Sequence, residues 1–162
     1  MFRQMAISLD DVDMRLLEEL ERDADRANVE LARIVGLSPA ATLKRIRRLK
    51  DEGVIKGIRA RLDTTAVGFP LQVYIACTLG EHDERANQRF EAVCAKAPNV
   101  VRGDWVTGET DALLQVVARD VAELQRVLML LSTRGGASRL MTFLRLEEFK
   151  APSPLPRTRV GR

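Results

Sequence analysis

The feature that most constrains this chain lies between Gly36 and Gly53. A turn of Gly36, Leu37, Ser38 and Pro39 leads into a helix-patterned stretch in which five of the seven residues from Lys44 to Lys50 are basic. Ser38 can cap a helix start with its hydroxyl, and Pro39 suits the first helical position, where its missing N–H would have had no partner. At about 100° per residue, Leu43, Ile46 and Leu49 fall on one side, while Ala40, Ala41, Lys44, Arg47 and Arg48 point away from it. One side packs and the other is cationic. Just upstream, Asn28 to Val35 reads as a short helix with Leu31, Ile34 and Val35 as its apolar positions. Two helices joined by a tight, Gly-containing turn make a helix-turn-helix.

A basic helix face by itself is most often solvated surface, so the nucleic-acid reading rests on context. Ala40 and Ala41 open the N-terminal end of the face, where small side chains let a helix approach base edges in a major groove. Lys44 and Arg48 lie one turn apart, positioned for guanine edges or phosphates. Arg45 sits nearer the apolar boundary, as a phosphate or structural contact. Ser38, Ala40, Ala41, Thr42, Lys44, Arg45, Arg47 and Arg48 are the candidate DNA contacts.

The formal net charge of the 162 residues is only +3, but its distribution is uneven. Residues 1–25 carry three basic and eight acidic side chains, net −5, and residues 26–63 carry ten and four, net +6. The positive field is therefore concentrated on the helix-turn-helix, which favours phosphates. The chain lacks an apolar segment of signal-peptide or membrane-spanning length, so a cytoplasmic protein is expected. Cys77 and Cys94 are too few and too far apart to suggest a metal site and read as reduced packing residues. No cofactor is called for.

The first helix is expected from about Asp10 to Arg22, capped by Asp10 and presenting Met14, Leu17 and Leu20 inward, its acidic first turn complementing the helix dipole. After the basic helix, Gly53 is placed as a C-cap. Val54, Ile55, Ile58 and Leu62 then alternate with Lys56, Arg59 and Arg61 as a strand or wing. Thr64 to Pro70 forms the boundary between a first domain, 1–63, and a second, 64–150, with a tail over 151–162. In the second, the pattern predicts a strand over Leu71 to Leu79, a helix over Glu84 to Lys96 with Phe90 and Val93 inside, and strands over Val100 to Thr107 and Ala112 to Val117. A helix over Val121 to Ser132 and a strand over Ser138 to Phe149 complete it. The order strand, helix, strand, strand, helix, strand is the ferredoxin-like arrangement of an α+β domain: an antiparallel sheet covered on one face by two helices. Apolar residues on the other face would favour sheet-to-sheet dimerisation.

Taken together, these segments resemble the Lrp/AsnC, or feast/famine, family of bacterial and archaeal transcription regulators over nearly the whole chain. The resemblance is carried by Leu9-Asp10-Asp11-Val12-Asp13, Leu31-Ala32, Gly36-Leu37-Ser38, Arg45-Ile46-Arg47-Arg48-Leu49, Gly53-Val54-Ile55, Leu62-Asp63, Gly68 and Val106-Thr107-Gly108-Glu109-Thr110-Asp111. Their order and spacing make it specific. It implies a winged helix-turn-helix followed by a RAM/ACT-like domain that dimerises, assembles further to an octamer or similar ring, and binds a small effector, usually an amino acid.

The segment Gly108 to Asp111 matches the family's effector-loop pattern. Gly108 lets backbone groups approach a ligand, Asp111 can accept from an α-ammonium, and Thr107, Thr110 and Thr142 can add hydroxyl contacts. With Glu109, these are the candidate effector residues; a plain hairpin turn is the competing reading. Many relatives have an aromatic residue beside the loop aspartate where this chain has Thr110 and Ala112, which leaves the effector open, polar or cationic side chains included. Trp105 lines the site or belongs to core or interface. Two other functions share the fold. Siroheme decarboxylases resemble the family in both domains, but here the single histidine, His82, lies in a polar loop segment. An architectural DNA-binding protein without effector control would differ only at the 108–111 loop.

Overall fold

The computed structural model describes residues 7–156, which fall into two compact units, one formed by the chain up to Ala60 with the stretch from Ala151, the other by Arg61–Lys150. The first unit contains three helices, α1 (Asp11–Arg22), α2 (Asn28–Val35) and α3 (Pro39–Asp51). Asp10 caps α1 in a reciprocal box with Asp13: the Asp13 amide donates to Asp10 Oδ1 at 2.8 Å and the Asp10 amide to Asp13 Oδ2 at 3.2 Å. Helix α2 ends at Gly36, whose φ of 72° is left-handed, and the chain turns at once into Ser38. The Ser38 hydroxyl then accepts from the Ala41 amide at 3.2 Å, with Pro39 in the first turn. Asn28 Nδ2 donates to the Pro39 carbonyl at 2.9 Å, tying the start of α2 to the start of α3.

The core of this unit is Leu16, Leu31, Val35 and Ile46, with Val12, Leu20, Ile34, Leu37 and Ile55 packed around it. The inward face of α1 differs from the expected Met14, Leu17 and Leu20. Met14 and Leu17 are half-buried, and the ridge Val12, Leu16 and Leu20 faces the core. Both ridges are apolar and share Leu20; the one that packs also carries Asp13 inward. In α3, Ile46 and Leu49 are buried as expected, but Leu43 is exposed and Thr42 takes the inner place.

Gly53 lies one residue beyond the C-cap Glu52, with φ of 73°, and lets the Ile55 amide reach the Leu49 carbonyl at 3.0 Å. The wing strand expected from Val54 to Leu62 does not form among the described residues. Ile55 packs on the core, whereas Ile58 and Leu62 are exposed. A strand needs a partner edge for its backbone groups, and an alternating pattern alone does not supply one.

The second unit runs β1 (Leu71–Leu79), α4 (Glu84–Lys96), β2 (Val100–Trp105), β3 (Ala112–Ala118), α5 (Val121–Thr133) and β4 (Ala137–Leu144), and its antiparallel sheet has the order β2-β3-β1-β4. This is the expected ferredoxin-like domain. Val73, Ile75, Cys77 and Leu79 of β1 with Leu114 and Val116 of β3 face Phe90 of α4 and Val127 and Leu131 of α5. Val93 is half-buried. Strand β4 stops well before Phe149. Val73 pairs with Leu144 and the Arg145 amide reaches the Gln72 carbonyl at 2.9 Å; there β1 begins, so nothing remains to pair with the residues that follow. On the other face Tyr74, Leu113, Met141 and Phe143 are exposed, adjacent through the register Tyr74 with Phe143 and Ala76 with both Met141 and Leu113. Among the described residues no helix is long and apolar enough to cross a membrane.

Candidate nucleic-acid interface and ligand loop

The structure divides the basic run of α3 in two. Ser38, Ala40, Lys44 and Arg47 are exposed and Ala41 is half-buried. At about 100° per residue, Ala40, Lys44 and Arg47 share a narrow strip opposite the buried Ile46 and Leu49, so a small residue leads and two cations follow. Thr42 does not belong to this surface. It is 0 % exposed and its hydroxyl donates to the Ser38 carbonyl at 3.1 Å, because the 100° step places it with Ile46 and Leu49.

Arg45 and Arg48 flank the strip on the side of α1 and are bonded there. Arg45 Nη1 donates to Asp10 Oδ2 at 2.6 Å and to Asp13 Oδ1 at 2.9 Å, and Arg48 Nη2 donates to Asp13 Oδ2. The Asp13 side chain is only 1 % exposed. With the Asp10 amide on Oδ2, every oxygen of the two carboxylates is engaged. The Asp13 backbone N–H and the Arg45 guanidinium hold the Asp10 carboxyl below its ordinary range, while Asp10 and then Asp13 raise Arg45. Arg45, read as a phosphate or structural contact, is ion-paired to α1, and Arg48, expected among the readers, gives its Nη2 to Asp13 while its side chain is 42 % exposed. Asp10 and Asp13 were legible only as a cap and a favourable dipole contact; the arginine pair on α3 at the same i, i+3 spacing was the signal that could have matched them.

The loop read from the sequence as a candidate effector site joins β2 to β3. The Val106 amide donates to the Asp111 carbonyl at 2.9 Å, closing a loop in which Gly108 adopts φ of 122°, a conformation that favours glycine. Thr107, Gly108 and Glu109 are exposed at its tip. The other side is fixed to β1: the Asp111 amide and the Thr110 hydroxyl both donate to the Cys77 carbonyl, at 2.9 and 2.8 Å, and the Leu79 amide donates to Asp111 Oδ2 at 2.8 Å. Asp111 Oδ1 faces His82 Nε2 at 3.5 Å. His82, expected as an incidental loop residue, thus sits against the loop aspartate.

Thr142 is not brought to this loop. It lies on β4 opposite Ile75, on the far side of β1 from the strand that carries the loop, and two to four residues short of the Cys77 and Leu79 positions where the loop is bonded. Trp105 turns the other way, its Nε1 donating to Glu91 Oε1 at 2.8 Å and its ring 5.7 Å from that of Phe90. It helps line a cavity of about 370 Å³ between α4 and β2 with Phe90, Cys94 and Leu114. Both cysteines are free thiols; burial pushes Cys77 up to about 12 and Cys94 to about 11. Among the described residues no group of three potential ligands is placed to hold a metal ion.

Residues 9–56 match the family described as winged helix-turn-helix DNA-binding, and residues 72–155 match the Lrp/AsnC ligand binding domain. The chain is 41 % identical over 121 residues to the leucine-responsive regulatory protein of Rhizobium meliloti, covering 74 % of this chain and 76 % of that protein. It is 34 % identical to the HTH-type transcriptional regulator AldR of Mycolicibacterium smegmatis, over 93 % of this chain and 88 % of that one. A transcriptional regulator from Neisseria meningitidis, solved in complex with L-Met, superposes with a TM-score of 0.82 at 32 % identity, covering 92 % of this chain and 97 % of that one. A feast or famine regulatory protein from M. tuberculosis, complexed with L-methionine, gives a TM-score of 0.81 at 30 % identity over 91 % and 99 %. With a helix-turn-helix whose exposed strip is cationic and a ferredoxin-like domain that matches the Lrp/AsnC ligand binding domain, the chain belongs to the Lrp/AsnC family of DNA-binding transcriptional regulators.

Proposed function

We propose that the protein reads specific DNA sites with the exposed strip of α3, Ser38, Ala40, Ala41, Lys44 and Arg47, and changes its binding in response to an amino acid held at the Thr107 to Asp111 loop. The observation that carries the reading is the strip itself: small residues at the helix start, then Lys44 and Arg47 without an acidic partner among the described residues. Such a helix approaches base edges closely and meets phosphates with the side chains that follow. At the loop, Asp111 Oδ1, beside His82 Nε2 at 3.5 Å, is the oxygen that would accept from an α-ammonium, since Oδ2 holds the Leu79 amide. The methionine complexes of two structural relatives support an amino acid as effector class.

The exposed Tyr74, Leu113, Met141 and Phe143 support pairing of this sheet face with the same face of a second copy, a dimer that assembles further, to an octamer in this reading. A coupling of roughly 1 to 3 kcal/mol between effector and DNA would change affinity by several-fold to about a hundredfold. In this reading the protein is a cytoplasmic regulator rather than an enzyme and needs no cofactor.

The test is binding of the full chain to duplex DNA from its own upstream region, titrated against salt, with and without each of the twenty amino acids. Preferential binding that one amino acid shifts is the expected result, with Lys44→Ala and Arg47→Ala each weakening it. Equal affinity for random duplex in every condition would replace the reading with an architectural one.

A further inference from the structure

Helix α3 carries more positive charge than its strip of Lys44 and Arg47 uses, and two of the remaining cations, Arg45 and Arg48, are ion-paired to α1. Asp13 accepts Arg45 on one oxygen and Arg48 on the other, while Asp10 takes a second bond from Arg45. A carboxylate as buried as that of Asp13 is tolerable only when paired and hydrogen-bonded. The two guanidiniums are therefore not interchangeable with Lys44 and Arg47: moving both to phosphates would strip Asp13 of its ion pairs and leave only the Asp10 amide. A carboxylate in this position also presents each guanidinium with the chemistry a phosphate would offer, two oxygens and a negative charge, already at bonding distance.

Resting on the DNA-binding reading above, we infer that Asp13 is a positioning residue for DNA recognition. It withholds Arg48, and together with Asp10 also Arg45, from the phosphate backbone and fixes α3 against α1. Sequence-independent attraction is thereby limited, and the strip of Ala40, Lys44 and Arg47 sets the approach. In a DNA-binding protein each cation that neutralises a phosphate adds about 0.9 to the steepness of log K against log salt concentration, so withholding two of them is measurable.

The experiment is a salt titration of the full chain on a random-sequence duplex and on the upstream duplex. In Asp13→Asn the neutral amide no longer retains Arg48, while Arg45 keeps its bond to the Asp10 carboxylate. The slope on random duplex is expected to steepen by about 0.9, with tighter low-salt binding and a smaller preference for the upstream duplex. Adding Arg48→Met to Asp13→Asn takes that steepening back. A residue that only stabilised the fold would leave the slope of the folded variant where it was, and an unchanged slope in folded Asp13→Asn overturns the inference.

Arg48→Met alone keeps Asp13 paired with Arg45 and the Asp10 amide, and it decides the matter if Asp13→Asn does not fold. Its slope is expected to equal that of the wild type. A slope shallower by about 0.9 would show Arg48 on a phosphate and refute the proposal. Wild-type protein that binds neither duplex fails the DNA-binding reading instead, and the inference falls with it.

Discussion

Replacing Asp111 separates what the loop does for the fold from what it does for a ligand. Its backbone N–H and C=O bonds, to Cys77 and from Val106, survive substitution by Ala or Asn; the side-chain bond from the Leu79 amide and the contact with His82 are at stake. In Asp111→Ala that amide, on a buried residue at the end of β1, loses its acceptor. Hydrogen bonds to a charged group contribute about 1.5 to 3 kcal/mol, and the 27 % exposure of the Asp111 side chain lets water replace part of this, so a loss of about 1 to 2 kcal/mol follows. For a unit of the size of Arg61–Lys150, that is a drop of roughly 5 to 15 °C in melting temperature. Asp111→Asn retains a carbonyl acceptor and should lose less than about 1 kcal/mol. Trp105, the single tryptophan, lies in β2, so its fluorescence follows this unit during the melt. Calorimetric titration with amino acids supplies the second reading: both variants should lose effector affinity, because neither offers a carboxylate to an ammonium. An Asp111→Ala melt within about 2 °C of wild type would refute the anchoring argument. Asn with unaltered affinity would remove the carboxylate as the ammonium acceptor.

Other outcomes follow from the second unit. Phe143→Glu or Tyr74→Lys places a charge on the exposed sheet face, and sedimentation should show a smaller assembly with the fold retained; an unchanged assembly would move the interface elsewhere. The Arg119 guanidinium and backbone N–H hold Glu123 down at about 2 from an ordinary 4.5, so its stabilisation is complete above pH 4.5 and lost as pH falls through about 2. Glu123→Gln should therefore melt lower than wild type at neutral pH, and the gap should close toward pH 2. With Cys77 near 12 and Cys94 near 11, alkylation of the native protein at pH 8 should be slow and both thiols should react once urea unfolds it; rapid native labelling would contradict their burial.

The elements legible in the sequence were those whose signals are local. Helix α2 over Asn28–Val35, α4 over Glu84–Lys96, and β1 with its Val, Ile and Tyr run all stand where the local residue pattern places them. What failed depended on a partner. The wing strand had alternation but no edge to pair with, and β4 ended where β1 had no more residues to offer. Thr42 and Leu43 exchanged places because hydrophobicity favours the leucine inside, whereas the helical step and a bond to the Ser38 carbonyl put the threonine there. Thr142 entered the site by chemistry alone; its register opposite Ile75 could not be read before the strands were paired.

The same reasoning changes what the uneven charge means. The acidic opening stretch and the basic helix-turn-helix looked like independent features, one a helix-dipole effect and the other a field for phosphates. In the fold they meet: Asp10 and Asp13 lie 32 to 35 residues from the arginines they hold. Two of the five cations between Lys44 and Lys50 are thus spent on α1, and counting basic residues overstates the charge available to DNA. A regulator that must leave one site for another gains from this, since specificity is a difference of affinities and every phosphate contact raises both. An acidic first helix beside a recognition helix is then part of how a basic domain keeps its preference for particular sequences.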